Sequence, residues 1–269
     1  MRYMIASDYD GTIAKMDGIS AKTVAGIKRF IEAGNLFGIV TGRDYAIGYN
    51  EFKDKADLQF DFIIMNNGAS ACDKDGNIYF AKKINGAMPY GETTLAQELI
   101  KRCLELADYE CNISFEKSRL TFYHDYSFLD SESGEKSEKS AEIKPIGDFV
   151  SASTMCDSEE RAKEVVETLR EEFGQYLNPL QNGRCIDIAP VGIDKAVGIE
   201  LLAKELDFCL ENIWTVGDNY NDMAMLERYH GCAIADGVAG IQSVAEHVCE
   251  GIYDLVEIIL TEGQNGNIL

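Results

Sequence analysis

Paired metal-ligand spacing is missing from this chain: its eight cysteines contain no CxxC, and its three histidines, His124, His230 and His247, stand alone. A structural zinc site needs such pairs, so that class is excluded. No apolar run approaches the roughly 20 residues that span a bilayer. Proline is scarce, with four in 269 residues, and hydrophobic residues make up 46%, so a packed core is expected and global disorder is not. Basic residues are too few for the acidic ones, and the formal net charge is −21. Nucleic acid and anionic membranes are therefore poor partners, because both demand a positive surface. An anionic substrate would need cations supplied locally, by a metal or by a few placed basic residues. Cysteines such as Cys103, Cys209, Cys232 and Cys249 lie in apolar runs and read as reduced thiols. The start of the chain carries no basic-then-apolar leader pattern, and a cytoplasmic location is expected. No motif specifies an oligomeric state.

What is present begins with Tyr3–Asp8, a short apolar run that ends in Asp8-Tyr9-Asp10-Gly11-Thr12. On a strand, Asp8 and Asp10 project to one face with Cα atoms about 6.5–7 Å apart. Two carboxylates aimed at one spot repel unless a cation or a shared proton relieves them. On this stretch alone, a strand end followed by an Asp-Gly turn explains the residues equally well.

The chain continues as alternating strand and helix. Ser20 caps a helix to about Ala33, Leu36–Thr41 is a second strand, Tyr45–Lys53 a weaker helical segment, and Phe62–Met65 a third strand. This spacing predicts βαβ units in a parallel sheet, with ligands outside the carboxyl ends of the strands. Asp8, Thr41 and Asn67 fall at those ends. The style then changes. A hairpin is expected around Asp75-Gly76-Asn77, a capping box at Thr94–Gln97, strands over Cys111–Glu116, Arg119–His124 and Phe149–Met155, a helix to about Phe173, and a strand at Cys185–Ala189. Between them, Asp130–Glu142 reads as a solvated loop. After Pro190 the first style returns: a helix over Asp194–Leu206, a strand over Asn212–Gly217, helices at Met223–Tyr229, Val238–Ala245 and Tyr253–Thr261, and strands at Gly231–Ala235 and His247–Cys249. The predicted fold is α/β: a Rossmann-like parallel-sheet core over 1–84 and 186–269, with an inserted α+β cap over 85–185.

Further polar groups sit at strand ends and helix starts. Asp218 and Asp222 flank Asn221 after a strand. Asp222 reads well as a helix N-cap, whereas Asp218 is left unexplained. Four aspartates together would form an all-oxygen site of the kind that suits Mg²⁺. Lys195 lies in the first turn of its helix, where the helix dipole disfavours a cation. Thr41-Gly42-Arg43 offers a hydroxyl and backbone N–H groups to a phosphate oxygen. Each of these features is weak alone. His124, His230 and His247 read as structural, Trp214 as a core residue, and Asn182 and Arg184 as residues within reach of a substrate.

In order, Asp8-x-Asp10-Gly-Thr, Thr41-Gly-Arg, Lys195 and Gly217-Asp218-x-x-Asn221-Asp222 resemble the motifs of the haloacid dehalogenase superfamily of phosphotransferases. The large insert, Asn67-Gly68-Ala69 before it, and Ile186-Asp187-Ile188-Ala189-Pro190 after it resemble the Cof-type branch. That resemblance implies a Mg²⁺-dependent phosphatase of small phosphorylated metabolites, typically sugar phosphates. It implies Asp8 as nucleophile and metal ligand, Asp10 as general acid/base with its carbonyl on the metal, Thr41 as phosphoryl-binding hydroxyl and Lys195 as bridging cation. Asp218 would be a metal ligand, with Asp222 and Asn221 supporting the metal and the lysine. Gly42, Arg43 and Asn67 would face phosphate or substrate. Tyr9 departs from the aliphatic residue usual between the aspartates and should point to the opposite face. The alternatives are a phosphomutase or phosphotransferase of the same superfamily, and a non-enzymatic phospho-aspartate signalling module. Against the latter stand Asp10, an acid/base that a long-lived phospho-aspartate would not want, and the lid-like insert.

Overall fold

A computed structural model describes residues 2–55 and 57–265. In chain order the first layer opens with β1 (Met4–Ser7), α1 (Ala21–Glu32), β2 (Leu36–Val40), α2 (Asn50–Lys53), β3 (Phe62–Met65), β4 (Ser70–Asp73) and β5 (Ile78–Ala81). The insert carries a two-residue ribbon β6 (Pro89–Tyr90) and β7 (Thr93–Thr94), then α3 (Leu95–Leu106), β8 (Cys111–Ser114), β9 (Arg119–Phe122), β10 (Phe128–Asp130), β11 (Ser151–Met155), α4 (Glu159–Phe173), β12 (Leu177–Asn182) and β13 (Cys185–Pro190). The first layer resumes with α5 (Lys195–Glu205), β14 (Ile213–Gly217), α6 (Met223–Arg228), β15 (His230–Ile234), β16 (His247–Cys249) and α7 (Ile252–Asn265).

The main sheet runs β16-β15-β14-β1-β2-β3-β4-β5. It is parallel from β16 to β3, and β4 and β5 fold back antiparallel at one edge. β1 is buried on both faces, as a central parallel strand should be. Ile5 joins the apolar layer beneath α1 and α7, with Ile27, Phe30, Leu255 and Ile259; Met4 and Ala6 join the layer beneath α5, with Ile199 and Leu202. Trp214 lies buried in the first of these layers, as expected. Among the described residues no helix is long and apolar enough to cross a membrane.

The second sheet is antiparallel, in the order β10-β9-β8-β11-β13-β12, and has its own apolar layer against α3 and α4. The junction read at 185–186 falls at the head of β13, which stays in this sheet through Pro190. β12 is an element the sequence pattern did not suggest. Its sequence, Leu-Asn-Pro-Leu-Gln-Asn, does not alternate cleanly and carries Pro179. Being the edge strand it tolerates a residue without an N–H. β10 reaches Asp130, so the polar Asp130–Glu142 segment begins inside a strand and continues as mostly irregular chain.

One expected helix is absent. Val238–Ala245 forms only a short 3-10 turn at Ile241–Ser243. Gly240 holds φ +91°, and the Val238 N–H donates to the Asp218 carbonyl at 2.8 Å. A side chain at Gly237 would lie 2.7 Å from that same carbonyl, so the segment is pressed flat against the Asp218 loop and cannot wind. The Tyr45–Lys53 segment is likewise tight: a wide π-type turn over Tyr45–Tyr49, capped by Asp44, precedes the single turn of α2.

α5 approaches the turn after β3 with no side chain between. A Cβ on Gly198 would sit 2.4 Å from the Gly68 Cα, and one on Gly68 would sit 2.0 Å from the Asp194 carbonyl oxygen. This contact sets the position of the first turn of α5. Gly198→Ala is expected to cost about 1–3 kcal/mol of stability through overpacking. Urea unfolding checks it, and an unchanged midpoint would refute the close-packing account.

Candidate active site

Asp8 follows β1, Thr41 follows β2, Asn66 and Asn67 follow β3, and Asp218 follows β14, all at the carboxyl edge of the parallel sheet. The chain reaches this edge in fixed geometry: the Asp8 N–H donates to the Val216 carbonyl at 2.8 Å, and the Thr41 N–H to the Ile64 carbonyl at 2.9 Å. α5 brings Lys195 over the same edge, with Asp194 as N-cap accepting from the Val197 N–H.

Lys195 is buried, 1% exposed, and its Nζ donates to Asp8 Oδ1 and Asp222 Oδ1, each at 2.6 Å. Asp222 is fully buried, and its Oδ2 accepts from the Asp218 and Asn219 N–H groups, both at 3.0 Å. Both Asp222 oxygens are thus engaged. Thr12 donates to Asp218 Oδ1 at 2.6 Å. Asp8 Oδ2 and Asp218 Oδ2 accept no hydrogen bond from the described residues.

Carboxylate oxygens of Asp8, Asp218 and Asp222 lie within 4.8 Å of one another. Burial pushes the Asp8 carboxyl well above its usual range; Lys195 opposes this, while Asp222 and Asp218 add to it. Burial also raises Asp218, against the Thr12 hydrogen bond. Lys195 is disfavoured as a cation by burial, yet Asp222 and Asp8 more than compensate and hold it protonated. Two of the three carboxylates hold the one ammonium, and the third, Asp218, is paired only with Thr12 among the described side chains. A hard divalent cation suits that donor set. The backbone makes room for it: Gly11 has φ +90°, and a side chain there would come within 2.3 Å of Asp218 Oδ2.

A cleft of about 420 Å³ opens above Asp8, walled on the far side by the second sheet. Asp10 lines it but does not join the carboxylate cluster. Its half-exposed side chain is gripped by Arg43, with Nε to Oδ2 at 3.0 Å and Nη2 to Oδ1 at 2.7 Å. Arg43 also pairs with Glu51 and lies over the rings of Tyr9 and Phe52. Tyr9 itself is buried in the core, consistent with its expected outward turn from the aspartates. The Thr41 hydroxyl accepts from the Arg43 N–H at 3.2 Å, which leaves its proton free to point into the cleft.

Asn67 was expected to face substrate. It is buried with φ +50°, and its amide donates to Asp187 Oδ2 at 2.8 Å and accepts from Asn221 Nδ2 at 3.4 Å. It braces the wall from behind, so Asn221 reaches the site partly through it. Gly42 borders the same group: a Cβ there would meet Asp187 Oδ2 at 2.6 Å.

Several residues of the site escaped sequence reasoning as site residues. Thr12 stands in the first motif. Asp44 accepts from Ser114 Oγ at 2.8 Å, and Ser151 donates to Asn66 Oδ1 at 2.6 Å, so the second sheet is hydrogen-bonded to the first across the cleft. Asp187 belongs to the Ile186–Pro190 run, and its position in a strand hid which face it takes. Asn182, expected near substrate, lines the cleft, and Arg184 is not among the lining residues.

A Rossmann-like core with motifs at its carboxyl edge and an inserted second sheet is the architecture of a haloacid dehalogenase-type hydrolase. The family model for haloacid dehalogenase-like hydrolases matches residues 5–254, and the chain belongs to that family. It is 24% identical over 256 residues to the 5-amino-6-(5-phospho-D-ribitylamino)uracil phosphatase YitU of Bacillus subtilis, covering 90% of each chain. Its fold is similar to that of a haloacid dehalogenase-like hydrolase from B. subtilis, with TM-score 0.76, 20% identity, and 95% and 99% of the two chains covered. It is also similar to that of the subclass IIB sugar phosphatase BT4131, with TM-score 0.69, 18% identity, and 99% and 100% covered.

The Asp187 carboxyl is pushed up to about 6, by burial first and by Asp44, against the Asn67 hydrogen bond and Lys195. An acid whose folded value lies above its unfolded one contributes stability below about pH 4 and loses it as pH rises through about 6. Asp187→Asn is therefore expected to flatten that part of the profile. The melting temperature of the wild type should fall relative to the variant from pH 4 to 7, and parallel curves would contradict the assignment.

Proposed function

We propose that the chain is a Mg²⁺-dependent phosphomonoesterase of small phosphorylated metabolites, sugar phosphates foremost, working through an aspartyl-phosphate on Asp8. The observation that carries this reading is the unequal treatment of the two Asp8 oxygens. Oδ1 is held by Lys195, while Oδ2 accepts no hydrogen bond from the described residues, and Asp8 both lines the cleft and clusters with Asp218. A sugar phosphatase of similar fold and a related phosphatase of a phosphorylated ribityl compound support the substrate class. Asp8, Asp218 and the Asp10 carbonyl would hold the metal. When bound, the ion neutralises phosphate charge so that an anionic nucleophile can approach.

The chain's own groups do the rest. An Asp8 oxygen attacks phosphorus, and the bond to the leaving oxygen breaks as Asp10 delivers a proton to it. The Thr41 hydroxyl and the backbone N–H of Gly42 hold phosphoryl oxygens in line. Lys195 keeps Asp8 ionised and oriented, and Asp222 keeps Lys195 in place. Arg43 is the switch at the mouth: a phosphate that draws its guanidinium releases Asp10 to carry a proton. Water then attacks phosphorus, Asp10 takes its proton, and the bond to Asp8 breaks. The second sheet closes the cleft, excludes bulk water and contacts the leaving group. Release of free phosphate separates this reaction from transfer to a second sugar hydroxyl.

Asp8→Asn and Asp10→Asn should each abolish phosphate release from p-nitrophenyl phosphate while circular dichroism stays that of the wild type. Chelation should stop the wild type, and added Mg²⁺ should restore it. Full turnover by both variants would sink the proposal.

A further inference from the structure

Arg119 opens β9 and reaches the cleft from the second sheet. Its Nε is buried with no hydrogen-bond partner, and none of its other side-chain N–H groups donates to a described residue. The carboxylate beside it is Asp44, 3.8 Å from Nη1. That is too long for a hydrogen bond. Asp44 is already satisfied by the Ile47 N–H at 3.0 Å and the Ser114 hydroxyl at 2.8 Å. A buried donor left unpaired costs free energy and calls for an explanation.

The other cations at the site have no such freedom. Lys195 is held by Asp8 and Asp222, and Arg43 by Asp10 and Glu51. Among the described residues lining the cleft, Arg119 is the cation whose guanidinium makes no hydrogen bond to the protein. The neighbouring wall has the same polarity. Asn182 Oδ1 accepts from Asn219 Nδ2 at 3.3 Å, which leaves the Asn182 amide N–H groups free, and the Ser151 hydroxyl proton is taken by Asn66. Open donors across from the nucleophile fit an acceptor-rich leaving group, and a planar guanidinium fork fits an anionic oxygen pair best.

We propose that Arg119 is a specificity-determining residue that binds a second anionic group, a carboxylate or a second phosphate, on the leaving portion of the substrate. This rests on the phosphatase reading of the cleft. The preferred substrates are then small phosphomonoesters with a negatively charged tail. With a net charge of −21, a substrate carrying negative charge beyond its phosphate gains from a further cation placed at the cleft.

The test uses two-carbon esters of matched size: ethyl phosphate, phosphoglycolate, ethanediol bisphosphate and phosphoethanolamine. For the wild type, kcat/KM for phosphoglycolate or the bisphosphate should exceed that for ethyl phosphate by about tenfold or more, the range of one charge-assisted contact. The two anionic esters show which tail is taken. Arg119→Ala should bring that ratio to near one, and Arg119→Glu should favour phosphoethanolamine over phosphoglycolate. If Arg119→Ala lowers all esters by one common factor, Arg119 acts only through Asp44 and the proposal is overturned. The absence of a preference in a wild type that hydrolyses p-nitrophenyl phosphate overturns it as well, and leaves the phosphatase reading standing. If the wild type hydrolyses no ester, that reading fails, and calorimetric binding of phosphoglycolate against ethyl phosphate decides Arg119 alone. Equal affinities in wild type and Arg119→Ala then refute it, whereas loss of an about tenfold preference supports it. Arg119→Lys, which keeps the charge without the fork, guards against loss of folding as the cause.

Discussion

A single buried ammonium organises this molecule. Lys195 stands at the start of α5, where the helix dipole repels a cation, and is almost wholly removed from water. Two carboxylates at 2.6 Å make that position tolerable. Asp8 comes from the end of β1 and Asp222 from the loop after β14. Asp222 is in turn fixed by the Asp218 and Asn219 N–H groups. Three segments far apart in the chain are thereby locked to one point. Removing any partner would strand a buried charge, which costs several kcal/mol. The glycine contact between α5 and the turn after β3 serves the same end, because a side chain there would lift Lys195 away from Asp8.

The second constraint is the polar seam between the two sheets. Each sheet has its own apolar layer, yet their meeting surface at the cleft is made of Ser114 with Asp44, Ser151 with Asn66, Asn67 with Asp187, and Asn182 with Asn219. Interfaces of this polar kind suit units that move relative to one another. In the proposed reaction the carboxyl edge of the main sheet would hold the reacting groups, and the second sheet would supply the wall that a leaving group touches.

Local signals accounted for most elements. Caps at Ser20 and Thr94 fall where the sequence pattern puts them, because a cap is a contact between residues three apart. Signals failed where tertiary contact overrode them. β12 is a strand despite Pro179 because the edge of the sheet asks nothing of that missing N–H. Val238–Ala245 is not a helix because Gly237 and Val238 are pressed against Asp218.

The same division holds for the site. Asp8, Thr41, Lys195 and Asp218 were legible from the sequence, since each follows a strand or opens a helix, and topology alone carries such positions to one edge of a parallel sheet. What each side chain does once there was not legible. The grip of Arg43 on Asp10, the hold of Lys195 on Asp222 and the bracing of Asn67 against Asp187 depend on partners 33, 27 and 120 residues away, and the unpaired Nε of Arg119 depends on what the fold fails to bring to it. Sequence spacing fixes which edge of the sheet a residue reaches. Only the packed chain decides which of its atoms are already paired and which are left for a substrate.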